Sequence, residues 1–222
     1  MDYLGSTLNT ILGTILGWLL GLLSYPIVSQ IQKYLKRKDL KKSILSELES
    51  LSVRLLLQYI DLQLYFGEID KKELEWIRNL PEKHRKYIPE NLIEAVNKLL
   101  NFSEEELKFS SFLYYLLTYN PNKAIRLKTF EMPFIKSVLS NLSVFDIEFQ
   151  SSIFDIWKEI SILNQEIEQA MFYSRLTFDP SCMDANQEII RYNLKNSYKF
   201  IKEKSKTIVD KIEKILEREK SR

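Results

Sequence analysis

The chain has 222 residues, with 32 Lys+Arg against 30 Asp+Glu, one His and one Cys. A disulfide framework is excluded by the lone Cys182. A Cys/His zinc site, which needs about four ligands, is excluded because His84 and Cys182 are the whole stock. No cofactor is expected, since no P-loop, G-x-G-x-x-G or G-x-S-x-G pattern occurs.

Charge and glycine divide the chain. No side chain between Asp2 and Lys33 is charged, and Gly5, Gly13, Gly17 and Gly21 all lie there, leaving only Gly67 for the rest. Asn9 to Val28 is an uncharged, mainly apolar run of 20 residues. About 20 residues of helix cross the hydrocarbon of a bilayer. In lipid every backbone amide must find its partner within the segment, so a helix is the expected conformation. A secretory signal would carry its basic residues ahead of the apolar run, whereas here they follow it. Residues 1–32 therefore predict a transmembrane helix over about 8–29 with a short outer N-terminus. Residues 33–42 form a basic juxtamembrane segment, in which Lys33, Lys36, Arg37, Lys38, Lys41 and Lys42 outnumber Asp39. Basic residues beside a span stay on the cytoplasmic side. The expected location is thus the inner membrane, single-pass, with the N-terminus out and residues 43–222 in the cytosol. The same basic residues suit contact with anionic lipid head groups.

The span has two unlike faces. At 100° per residue, Ser6, Asn9, Thr10, Gly13, Gly17, Gly21 and Ser24 share one broad face, and Leu8, Ile11, Ile15, Leu19 and Leu22 the other. Lipid tails are as apolar as leucine, so small residues help a membrane helix only where a second backbone approaches. The small and polar face predicts a homo-oligomer, in which it forms the interface or, in a large ring, lines a polar passage.

After the span, Leu, Ile, Lys and Glu at helical spacing predict an all-α body: an N-terminal transmembrane helix followed by a cytosolic helical bundle. One long helix should continue to about Phe66 through Ile44, Leu48, Leu51, Leu55, Tyr59, Leu62 and Phe66, with Gly67 as its stop. Residues 71–79 and 91–100 read as short helices separated by a loop holding Pro81 and Pro89. Ser103 should cap a helix running to about Tyr119, where Asn120-Pro121-Asn122 breaks it. A helix over 144–176 places Ile153, Trp157, Ile160, Asn164, Ile167 and Met171 on one face. A last helix over about 186–219 steps through Ile190, Leu194, Ser197, Ile201, Ser205, Ile208, Ile212 and Ile215. Residues 43–200 are net acidic, which weighs against a nucleic-acid partner unless a positive face is built locally. The bilayer, further copies of the chain and a cytosolic protein are the expected partners.

Arg78-Asn79-Leu80-Pro81-Glu82-Lys83-His84 places an Arg-Asn pair five residues before the sole histidine. The spacing resembles the signature of HEPN ribonucleases, all-helical proteins that pair two such motifs in a dimer. That resemblance implies action of Arg78 and His84 on the scissile phosphate and ribose hydroxyl, with Asn79 holding the geometry. It makes a membrane-tethered ribonuclease the alternative function. Pro81 departs from the family pattern by interrupting the motif's helix, which points to a divergent version without catalysis. With its single span the chain also resembles the membrane accessory proteins of type VI CRISPR systems, and that likeness implies a pore or effector role in antiphage defence. A passive membrane scaffold for a cytosolic partner is the remaining alternative.

Overall fold

A computed structural model describes residues 2–66, 70–79, 90–107, 109, 125, 127–179, 181 and 184–221. The fold is all-α, with no strand among the described residues. Helix α1 spans Asp2–Phe66, 65 residues with Pro26 inside it. Then follow α2 (Lys71–Arg78), α3 (Glu90–Leu100), α4 (Pro133–Val138), a 3-10 helix (Leu139–Val144), α5 (Ile147–Leu176) and α6 (Asp184–Lys220). The chain divides into two compact units, Met1–Ile44 and Leu45–Arg222.

In the first unit the backbone is helical from Asp2 onward. The transmembrane helix expected over about 8–29 is not found as such, because no helix among the described residues is long and apolar enough to cross a membrane. The hydropathy of that stretch rests on Ile11, Leu12, Ile15, Leu19, Leu20, Leu22 and Leu23, whose side chains lie outside the described set.

The second unit is built around α5 and α6, an antiparallel pair. Glu148 near the start of α5 meets Arg218 near the end of α6 at 2.8 Å, and Gln187 at the start of α6 donates to the Leu176 carbonyl at the end of α5. Midway, Glu159 of α5 pairs with Lys204 and Lys211 of α6. Asp146 starts α5 by accepting the Phe149 N–H at 2.9 Å, satisfying an amide that has no helical partner. The α6 seam is buried at seven of its eight expected positions, Leu194 being half-buried. Ile201, Ile208, Val209 and Ile212 are fully covered, and Ser197 and Ser205 lie among them. Each such isoleucine contributes about 1.5–3 kcal/mol by leaving water.

The Leu45–Phe66 part of α1 lies along α6, with Ser52 donating to Glu213 and Lys202 to Gln63. Its Leu48, Leu51, Leu55, Tyr59 and Leu62 are buried, as the three-and-four spacing requires. Asp70 caps α2 through the Glu73 N–H at 2.8 Å. Leu74 and Ile77 of α2, Val96 of α3 and Leu107 then close a second cluster over Leu56, Tyr59 and Ile60. Ser103 and Glu106 form a reciprocal capping box, each backbone N–H donating to the other's side chain at 2.7 and 3.2 Å. The continuation of that helix to Tyr119, the Asn120-Pro121-Asn122 break, Gly67 and the loop with Pro81 and Pro89 lie outside the described residues.

Two features depart from the sequence expectation. Short helix α4 and the 3-10 helix after it precede α5, and both free amides at the start of α4, those of Phe134 and Ile135, donate to the Glu47 carboxylate of α1 at 3.0 and 2.6 Å. The buried face of α5 is Phe149, Ile153, Ile156, Ile160, Leu163, Ile167 and Ala170. Trp157 is exposed, while Asn164 and Met171 are half-buried. The core face is therefore turned by about 50° from the expected one, at 100° per residue.

Candidate functional site

In the first unit the described part of the small-residue face is open. A Cβ built on Gly13, Gly17 or Gly21 meets nothing within 4 Å. The backbone along this ladder is therefore accessible to whatever approaches it. Ser6, Asn9, Thr10 and Ser24 belong to the same helix, and their side chains lie outside the described set. Apolar side chains are exposed on opposite sides of α1. Leu16 and Ile27 fall in one sector and Trp18 and Tyr25 in the opposite one, with Tyr25 exposed by 80 %. Beyond it, Lys33, Lys36, Arg37, Lys38 and Lys42 are exposed and Lys41 half-buried, in a continuous helical stretch.

Two residues of the ribonuclease-like motif lie among the described residues. Arg78 is the last residue of α2 and is exposed. Asn79 is its C-cap, with the backbone N–H donating to the Glu75 carbonyl at 2.9 Å. His84, the third member, lies outside the described residues.

Two arrangements were not legible in the sequence. The first ties α2 to α1 and α6. Tyr59 of α1 donates to Glu73 of α2 at 2.5 Å, and Gln63 donates to the Tyr59 hydroxyl at 2.8 Å. Trp76 of α2 reaches Asp210 of α6 at 3.3 Å, and the Lys206 ammonium sits over both the Tyr59 and Trp76 rings, 5.6 and 5.2 Å from their centres. Burial, then the facing Glu73 carboxylate, push the Tyr59 phenol far above its ordinary pKa. It therefore stays protonated and acts as a hydrogen-bond donor, not as a base. Glu73 and Trp76, three residues apart on α2 and flanking apolar Leu74 and Ile77, are the only sequence signal of this contact.

The second is a groove of about 410 Å³ between the extended segment before α4 and the outer side of α5. Its floor includes Phe130, Met132 and Ile160, all buried, and Trp157 stands at its edge. The wall is pinned from three directions. Asn164 bonds both the N–H and the C=O of Phe130 at 2.8 Å, Arg54 donates to the Glu131 carbonyl at 3.2 Å, and Glu47 holds the start of α4. Asn164 thus does for Phe130 what a neighbouring strand would do.

No group of three or more His, Cys, Asp or Glu able to hold a metal ion occurs among the described residues. The acidic side chains with lowered pKa are engaged in structural contacts. Glu159 is lowered by Lys204 and Lys211, and Glu106 by the Ser103 cap. No family model, no curated protein and no solved structure matches the chain.

Proposed function

We propose that this is a membrane-anchored helical protein whose copies associate through the glycine and polar face of α1. The anchor is the segment of about residues 8–29, with the N-terminus outside the inner membrane and the helical body in the cytosol. In its most concrete form the protein is a membrane effector or pore-type protein of bacterial antiphage defence. That last step rests on the resemblance to single-span accessory proteins, an argument from architecture.

The observation that carries the reading is the combination found on α1. Apolar side chains are exposed on opposite sides of the helix, while the backbone at Gly13, Gly17 and Gly21 stays open. Open glycine backbone in lipid favours close approach of a second helix, since van der Waals contact and interhelical hydrogen bonds there replace looser contact with acyl chains. The exposed basic run suits anionic head groups on the cytoplasmic side.

Chemical crosslinking in native membranes tests the association. Wild-type protein should give a ladder of oligomers, and Gly17→Ile, which puts a branched side chain on the open backbone, should collapse it to monomer. An identical monomer pattern for both proteins would end the proposal. Dye leakage on expression separates an effector from a passive scaffold: leakage that Gly17→Ile abolishes supports the former, and intact membranes at equal expression support the latter.

A further inference from the structure

The net acidity of residues 43–200 hides a local reversal on α6. From Ile189 through Lys202 there is no acidic residue, while Arg191, Lys195, Lys199 and Lys202 all fall within that stretch. Lys202 is engaged with Gln63 and the Phe66 ring. Arg191, Lys195 and Lys199 are exposed and form no ion pair among the described residues. They follow one another at four-residue intervals, so the helix spaces them by about 6 Å per step along one edge. Successive phosphates of an extended single strand are separated by a distance of the same order.

Beside this row runs a second one. Tyr192 and Phe200 are exposed by 66 and 41 %. At 100° per residue the row Tyr192, Asn196, Phe200 is offset by about 100° from the row Arg191, Lys195, Lys199, so rings and cations run as two side-by-side rows across the exposed side of the helix. Cations tracking a backbone beside aromatic faces on which bases stack is the physical pattern of single-strand binding. Between the rings the same surface presents the exposed Asn196. Its amide both donates and accepts, matching a ribose 2′-hydroxyl, which does the same.

We infer that the Ile189–Phe200 surface of α6 binds single-stranded RNA, with Arg191, Lys195 and Lys199 on the phosphates, Tyr192 and Phe200 under the bases and Asn196 at a ribose. This inference goes beyond the membrane reading and does not depend on it, because α6 belongs wholly to the second unit. It assigns no cleavage chemistry.

Fluorescence anisotropy with the full chain in detergent and a labelled uridine homopolymer of about 15 nucleotides tests it. Three phosphate contacts give a salt exponent of about 2, so affinity should fall roughly twentyfold between about 50 and 200 mM salt. Lys195→Glu with Lys199→Glu should lower affinity more than about tenfold and flatten the salt dependence. Tyr192→Ala with Phe200→Ala should weaken binding about tenfold or more while leaving the salt exponent unchanged. All four residues are exposed, so each variant should keep the wild-type circular dichroism spectrum; a changed spectrum is met by scoring Lys195→Gln with Lys199→Gln and Tyr192→Leu with Phe200→Leu instead. Absence of binding at the lower salt, or binding indifferent to both pairs, overturns the inference. Equal affinity for a thymidine homopolymer overturns the assignment to RNA. Displacement of the RNA by a polyglutamate peptide that itself requires Tyr192 and Phe200 would make the surface a dock for an acidic protein, and would also overturn it.

Discussion

Asn164→Ala offers the sharpest test of how the groove is built. The side chain makes two hydrogen bonds of 2.8 Å to the N–H and C=O of Phe130, whose residue is 5 % exposed. Each such bond is worth about 0.5–1.5 kcal/mol net, and a buried partner left unpaired costs about 1–3 kcal/mol. The two lost bonds and the buried partner left unpaired should together come to about 2–3 kcal/mol. For a chain of this size that is a fall in Tm of about 5–10 °C, read by circular dichroism in detergent. Trypsin should cut faster at the exposed Lys128 and Lys136, which flank the freed segment. Asn164→Asp separates hydrogen bonding from shape. It keeps an acceptor for the Phe130 N–H but sets a second carboxylate oxygen against the Phe130 carbonyl. At neutral pH it should be at least as damaging as Asn164→Ala. On acidification the protonated Asp can donate again, so its deficit relative to wild type at the same pH should shrink. A Tm for Asn164→Ala within about 1 °C of wild type, or an Asp variant milder than the Ala variant at neutral pH, would refute this account.

Glu159 links α5 to α6 through Lys204 and Lys211, which hold its carboxyl below the ordinary value of 4.5. With a folded pKa below the unfolded one, its stabilisation is fully present above 4.5 and is lost as the pH falls through the lowered folded value. Wild-type Tm should therefore fall more steeply than that of Glu159→Gln below about pH 4.5, and parallel curves would remove the pair from the account. Tyr59→Phe keeps the ring under Lys206 but leaves Glu73 and Gln63 without the hydroxyl between them. It should cost about 1–3 kcal/mol in urea unfolding and speed hydrogen exchange in α2 before α5, whereas uniform exchange along the chain would show that the contact does not hold α2 specifically.

Where helices begin and end was legible in part, because those signals are local. Ser103 caps its helix as read, with Glu106 returning the bond, and the spacing of Leu48, Leu51, Leu55 and Leu62 is a property of one segment; the Asp70 and Asp146 caps, equally local, went unread, and α5 begins at Ile147 and not at 144. The α6 seam was equally readable, since Ile190, Ile201, Ile208, Ile212 and Ile215 recur at helical spacing within one segment. For the glycine ladder, sequence spacing named the face, and the structure adds that its described backbone is open. Helix α5 carries apolar residues in two adjoining sectors, so periodicity alone could not choose between Trp157 and Ile156 as core. Tertiary structure decided it. The segment from Phe130 to Ile135 covers Ile160 on one side, and its backbone requires Asn164 as a partner from 34 residues away. That leaves Trp157 at the rim of a groove. Glu47 at the start of α4, Ser52 with Glu213 and Trp76 with Asp210 were hidden for the same reason. A hydrogen bond between distant segments leaves no periodic trace along the chain. Burial creates the need for it only after the helices have packed.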